Sequence, residues 1–236
     1  MKIADTKEYV VIVAGGSGSR MESGIPKQFL ELDGKPILEH TVELFASARP
    51  GIGIITVLPR EHFSTWKEIC AVRGFNVRQT LVEGGITRFH SVKAALAKVP
   101  DGVVVAIHDG VRPLAGEDLV CRMFEKMKSC RALVPVLPVT DSLKTLLRSP
   151  DGTLSTPESA PDPDRSSVFA VQTPQMFVSE DIKAAYTQAY DTAFTDDASV
   201  ARRYGIPLTY IEGRRTNIKI TTPEDLRIAE AFRSLL

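Results

Sequence analysis

The sequence predicts an α/β fold, a mainly parallel sheet with helices on both faces, and three observations carry that prediction. Short β-branched apolar runs alternate along the chain with segments whose apolar residues recur at helical spacing. Residues 103–108 are apolar almost throughout, as a buried strand requires. A chain of 236 residues, 43% hydrophobic and 25% charged, also buries a real core without disulfide or metal staples.

The elements follow in order. Residues 9–14 form a β-branched run that stops at Gly15-Gly16 and read as the first strand. Residues 37–48 place Ile37, Leu38, Val42, Phe45 and Ala46 on a helical stripe. A strand at 53–58 ends at Pro59, a helix follows at 63–73, and a strand at 76–82. A helix at 91–98, the strand 103–108, a helix at 116–128 and a strand at 132–139 continue the rhythm. Then it breaks. Residues 149–167 hold Pro150, Pro157, Pro161 and Pro163, and Asp151-Gly152 between two extended segments signals a hairpin. Residues 140–167 therefore read as an arm projecting from the domain; from composition alone they read equally as a surface loop. A strand resumes at 168–171, followed by helices at 179–190 and 195–204 and a strand at 208–212. The last helix starts at Thr222, with Thr222 as cap, Pro223 in the first position and Asp225 three residues after the cap. One domain spanning 1–236 is expected, without solenoid repeats.

Composition excludes several classes of function. Lys+Arg and Asp+Glu both number 29, so the formal net charge is zero, which argues against nucleic-acid binding through a basic face. The apolar runs are too short to cross a bilayer, and the charged start Met-Lys-Ile-Ala-Asp-Thr-Lys-Glu does not suit a signal peptide. Cys70, Cys121 and Cys130 are odd in number and lack zinc-like spacing, so free thiols in a reducing cytoplasm are expected. The four histidines form no HExxH pattern.

The strongest chemical signal is Val-Ala-Gly-Gly-Ser-Gly-Ser-Arg-Met at 13–21, followed by Pro26-Lys27-Gln28. Glycines after a strand let a ligand touch the backbone, and successive N–H groups can face a polyphosphate. Arg20 and Lys27 bring positive charge beside it. The P-loop pattern is absent, and Met21 stands where the dinucleotide fingerprint needs its third glycine. Downstream, Asp109 follows the most apolar strand, where α/β sheets place their ligands, and reads either as a Mg²⁺ ligand or as a turn residue. Lys219 alternates with Ile218 and Ile220 in an extended segment, so it faces away from them.

Together these motifs resemble a nucleotidyltransferase signature, and the continuation Pro-Lys-Gln-Phe-Leu-Glu-Leu-Asp-Gly-Lys-Pro-Ile-Leu-Glu-His-Thr at 26–41 is similar to that of the 2-C-methyl-D-erythritol 4-phosphate cytidylyltransferase family of the non-mevalonate isoprenoid pathway. The resemblance runs from Val10 to about Glu230. It implies a Rossmann-like sheet, CTP with Mg²⁺, and a homodimer clasped by the arm at 140–167. It assigns the nucleotide to Ala14, Gly15, Gly16, Gly18, Gly85, Ser91, Gly110 and Arg112. Arg20, Lys27, Arg165 and Lys219 are implied to be catalytic, Ser142, Thr173 and Thr195 to bind the phosphorylated polyol, and Asp109 to hold the metal. Arm residues are implied to help build the neighbouring subunit's pocket.

Three positions depart from the family pattern. Ile86 stands where many members have an acid, so no contact is carried onto it. Gly110 replaces an alanine, a small change expected to preserve a backbone contact. Ser142 replaces a threonine and keeps the hydroxyl. On the residues alone, Ser91 reads more simply as a helix cap, Arg165 as a solvated loop residue, and Thr195 as a cap as well as a ligand. Ribitol-5-phosphate cytidylyltransferases share the Ala-Gly-Gly loop and are the alternative; the Thr195–Ser199 run, Thr-Asp-Asp-Ala-Ser, is more similar to the methylerythritol enzymes.

Overall fold

The computed structural model describes residues 8–16, 25–159 and 162–233. Twelve strands and seven α-helices alternate through them: β1 (Glu8–Val13), β2 (Glu31–Leu32), β3 (Lys35–Pro36), α1 (Ile37–Ala48), β4 (Gly53–Leu58), α2 (Phe63–Arg73), β5 (Thr80–Glu83), α3 (Arg88–Leu96), β6 (Val104–Asp109), α4 (Glu117–Lys126), β7 (Ala132–Pro138), β8 (Leu147–Arg148), β9 (Leu154–Ser155), β10 (Phe169–Val171), β11 (Gln175–Val178), α5 (Ser179–Ala185), α6 (Asp197–Tyr204), β12 (Thr209–Glu212) and α7 (Pro223–Arg233). The main sheet has the order β10-β7-β11-β6-β1-β4-β5, with β12 beside β7. β6, β1, β4 and β5 pair in parallel, as do β7 and β12.

Both faces of the sheet's centre are covered, which is why β1, β4 and β6 are apolar along most of their length. In β1, Val10 and Ile12 pack with α1, α2 and α4, while Val11 faces α3, α5 and α6. β6 repeats the division: Val104 and Ala106 point to the first layer, Val105 and Ile107 to the second. A third cluster joins Leu32, Ile37, Val111, Leu114, Ile220 and Ala229, and seats α7 over the short β2–β3 hairpin. That hairpin turns through Asp33 and Gly34, both at positive φ (50° and 71°).

Four departures from the sequence reading have local causes. β11 was not expected as a strand; it is inserted antiparallel between β6 and β7, so no crossover helix announces it. Pairing of β5 with β4 is confined to Thr80–Glu83, and the Gln79 side chain instead accepts from Thr56 and Trp66. α5 stops at Ala185 because the side chains of Thr187 and Gln188 take up the carbonyls of Ala184 and Ala185. α6 is capped by Asp196, not Thr195: Asp196 accepts from the Ser199 N–H while Ser199 Oγ accepts from the Asp196 N–H. The arm carries the expected hairpin, β8 against β9, turning through Gly152 at φ 88°. Leu146, Leu147 and Leu154 on it are exposed.

Candidate active site

The parallel strands all end on one side. β1 gives way to Ala14, whose N–H donates to Val57 of β4 (2.9 Å), and β6 to Gly110, whose N–H donates to Val13 of β1 (2.8 Å). β5 gives way to Gly84, whose N–H donates to Leu58 of β4 (2.9 Å). The turns that follow enclose a cavity of about 430 Å³ lined by Ala14, Gly15, Gly16, Lys27, Gln28, Gly85, Thr87, Arg88, Ser91, Asp109, Val111 and Lys219, among others. Ligands in open α/β sheets bind at this carboxyl edge.

Close packing explains Gly85 and Gly110. A Cβ on Gly85 would stand 2.5 Å from that of His90. Ser91 holds the same turn: its hydroxyl accepts from the Gly85 N–H (3.0 Å) and donates to the Thr87 carbonyl (3.0 Å). Thr87, not Ser91, is the cap of α3. A Cβ on Gly110 would lie 2.8 Å from the Ala14 Cβ and 3.2 Å from the Val13 carbonyl oxygen. The Gly110 replacement, expected to be small, therefore fills a gap with no room for a methyl group. At Gly16 the nearest group is Lys27, whose Nζ would be 3.6 Å from an added Cβ.

Asp109 organises the floor of the cavity. Its carboxylate, 7% exposed as a residue, faces Lys219 Nζ (3.0 Å) and Arg112 Nε (3.1 Å) with Oδ2, and Arg88 Nε (3.4 Å) with Oδ1. Burial alone would raise its pKa, but Arg88, Lys219 and Arg112 outweigh burial and hold it well below the usual carboxylate range. Arg88 in turn grips the fully buried Asp197 at the start of α6 with two bonds of 2.9 and 2.7 Å, and Tyr186 donates to the same carboxylate at 2.6 Å. Burial opposes the charge on Arg88; Asp197 and Asp109 overcome it and keep the guanidinium protonated.

A second set of bonds fixes the far wall. His108 Nε2 donates to the Arg112 carbonyl (3.0 Å), so its Nδ1 accepts from the Thr173 hydroxyl (3.0 Å), and that hydroxyl accepts from the Asp109 N–H (3.1 Å). Burial pushes the His108 pKa down to about 4 and keeps the ring neutral. Gln172 spans to the other side, donating to the carbonyls of Arg214 and Asn217, while Arg112 Nη1 donates to Asn217 (2.8 Å). Asn217 anchors the segment that delivers Lys219; Ile220 is buried in the third cluster and Lys219 faces the cavity.

The expected residues thus divide. Ala14, Gly15, Gly16, Lys27, Gly85, Ser91, Asp109 and Lys219 share one cavity wall. Gly110, Arg112 and Thr173 stand behind it as supports. Thr195 lines a small adjoining space with Arg88 and Phe89. Ser142 and Arg165 lie on the arm, where Arg165 donates to the Thr140 carbonyl (2.9 Å) and is exposed, apart from this cavity. Gly18 and Arg20 lie outside the described residues. Both oxygens of the Asp109 carboxylate face cations here, so Asp109 would take a metal ion only by giving up one of these ion pairs. The ion-pair network through Arg88 and Asp197 was not foreseen; its partners are 109 positions apart, and only the sheet's C-terminal edge brings them together.

Residues 9–234 match the family model of 2-C-methyl-D-erythritol 4-phosphate cytidylyltransferase. The chain belongs to this family. Relatives of that name in Bacteroides fragilis and Bacteroides thetaiotaomicron are each 44% identical, covering 94% and 96% of the chain and 97% and 99% of their own lengths. Among solved structures, the 4-diphosphocytidyl-2C-methyl-D-erythritol synthase of Anaerococcus prevotii superposes with a TM-score of 0.78 at 26% identity, covering 99% of this chain and 98% of that one. The cytidylyltransferase of Thermus thermophilus gives a TM-score of 0.71 at 28% identity over 97% and 99% of the two chains. Membership in the family makes the chain an enzyme, a CTP-dependent nucleotidyltransferase, and the cavity its candidate active site.

Proposed function

We propose that the chain transfers the cytidylyl group of CTP to 2-C-methyl-D-erythritol 4-phosphate, releasing pyrophosphate and supplying an isoprenoid precursor pathway. The observation that supports this most directly is the meeting of Lys27, Arg88 and Lys219 over a glycine turn in one cavity of a chain of this family. An oxygen of the 4-phosphate attacks the α-phosphorus in line; a new P–O bond forms there and the bond to the β-phosphate oxygen breaks. The nucleophile is already anionic, so no strong base is required. The obstacle is repulsion between two polyanions, and positioning with charge stabilisation carries the catalysis.

In this reading Gly15 and Gly16 turn backbone N–H groups to the nucleotide, Ala14, Gly85 and Ser91 shape the wall it lies against, and Lys27 with Arg20 stabilises negative charge developing at the α-phosphate. Lys219 holds the attacking phosphate, with Asp109 fixing its direction. Gly110, Arg112 and Thr173 keep that wall in place, and Thr195 closes the side nearest Arg88. Mg²⁺ enters as part of the nucleotide substrate, ligated by phosphate oxygens and water.

The chain functions, on this account, as one nucleotidyltransferase domain, cytoplasmic in keeping with its three free cysteines, and as a homodimer. An apolar groove of about 870 Å³ beside the arm, with Phe169, Val171 and Tyr210 roughly half exposed, supports that assembly. Arg165 and Ser142 then serve the partner's cavity. The test is pyrophosphate release from CTP and Mg²⁺ with 2-C-methyl-D-erythritol 4-phosphate, and in parallel with ribitol 5-phosphate. Release with the first acceptor is expected; release with the second alone would overturn the choice of polyol and keep the CTP chemistry.

A further inference from the structure

Gln28 follows Lys27 directly and has no part in the mechanism above. The residue is among those that line the active-site cavity, and it is only 1% exposed. Both Nε2 and Oε1 are buried without a hydrogen-bond partner; the one other buried side-chain atom in that condition among the described residues is Oδ1 of Asn217, whose amide nitrogen is well used by the Thr173 carbonyl (2.7 Å). A primary amide unsatisfied at both ends is a cost that native interiors rarely carry, and it asks for an explanation. The residue is not there to fill space in a loose loop. It sits in a single 3₁₀ turn, Lys27–Phe29, held from below by Phe29 stacked on Trp66 at 6.0 Å and by the Leu30 N–H bonded to the Lys27 carbonyl.

We infer that Gln28 is a nucleotide-recognising residue whose amide N–H is satisfied only when the cavity is filled, Nε2 donating to a phosphate oxygen of CTP. The terminal torsion of glutamine is soft and the residue borders the cavity, so the buried amide reaches toward it by side-chain rotation without moving the backbone. Phosphate oxygens are acceptors only, which fixes the donating end. The neighbouring Lys27 lies against Gly16, placing the turn beside the wall assigned to the triphosphate. The inference rests on the nucleotide reading above. It adds that this chain gives up stability when empty and recovers it on binding.

The test is Gln28→Met, which keeps length and removes the amide. Thermal unfolding without ligand and calorimetric titration with Mg²⁺ and CTP are measured on both proteins. The expected result is a rise in Tm of a few degrees for the empty variant together with a Kd for CTP about tenfold higher, equivalent to about 1.4 kcal/mol. A stabilised variant with unchanged Kd overturns the inference, as does a variant whose empty form is less stable, since the amide then has partners in the free chain. The wild-type protein gives an independent readout by ¹⁵N NMR: addition of CTP shifts the Gln28 side-chain amide and slows its exchange, and an amide indifferent to CTP overturns the proposal even if the variant fails to fold. Failure of the wild-type protein to bind CTP would remove the nucleotide reading itself, a result distinct from all of these.

Discussion

At Asp109 a single carboxylate faces three cationic groups, and the consequences of that arrangement are testable one residue at a time. Lys27 is the cation proposed to act on the α-phosphate, so Lys27→Ala should lower kcat by roughly 10²–10³-fold in steady-state assays while the protein stays folded; near-wild-type kcat would end that assignment. Arg88 is different in kind. Removing it leaves Asp197 buried and uncompensated, and breaking a buried pair costs about 3–5 kcal/mol. Arg88→Ala should therefore lower Tm by roughly ten degrees, and a Tm within a degree of wild type would show that Asp197 finds other support. His108 sets a pH dependence. Its folded pKa, about 4, lies below its unfolded value, so the unfolded chain binds the extra proton first. Stability conferred by the neutral ring is complete above about pH 6.5 and falls as pH drops toward 4, with a slope of up to about 1.4 kcal/mol per pH unit. His40, also lowered chiefly by burial, adds to the same window. In denaturant titrations His108→Gln should flatten that slope; an unchanged slope would assign the dependence elsewhere. Lys27, Asp109 and Lys219 were legible in the sequence because the first accompanies a glycine-rich turn, the second ends an apolar strand and the third alternates with Ile218 and Ile220. Arg88, Asp197 and His108 were not, because a buried ion pair or a buried neutral histidine is defined by partners that sequence spacing does not reveal.

Among elements, the strand–helix rhythm was readable because both faces of the sheet are covered, and α1, β4 and α2 begin and end where their apolar periodicity and flanking Pro and Gly residues place them. Reading failed where hydrogen bonds rather than periodicity set the boundary. α6 is the clearest case: Thr195 precedes two acids and looks like a cap, yet Asp196 makes the capping bonds and also accepts from Gln175 Nε2 (2.8 Å), tying β11 to the helix. Asp196→Ala should cost about 1–2 kcal/mol in chemical denaturation, whereas Thr195→Ala should leave stability within about 0.5 kcal/mol. The reverse order would restore Thr195 as the cap. β11 escaped notice because an antiparallel strand slipped between parallel ones needs no crossover helix, and its four residues read as part of a loop motif.

For the whole molecule, the separation of Arg165 from the cavity that holds Lys219 is the most informative fact. A monomer carries both residues but does not bring them together; the proposed dimer does, across subunits. Mixing Arg165→Ala with Lys219→Ala subunits, each nearly inactive alone, should restore about a quarter of wild-type activity, because half of random dimers are hybrids and each hybrid holds one intact site. No recovery after verified subunit exchange would show that Arg165 and Lys219 serve the same subunit's site, and would overturn the shared site. The β8–β9 hairpin of the arm was legible from its prolines and the Asp151-Gly152 turn, but the partner proposed for it is a second copy, which the sequence of one chain does not describe.

The most direct measurement follows the α-phosphorus. CTP labelled at that position is incubated with Mg²⁺, 2-C-methyl-D-erythritol 4-phosphate and the purified protein, and the products are separated. The account predicts that the label appears in a cytidyl diphosphate ester of the polyol while unlabelled pyrophosphate is released in equal amount, and that Lys27→Ala slows both together. Label retained in CTP, or released as CMP without joining the polyol, would contradict it.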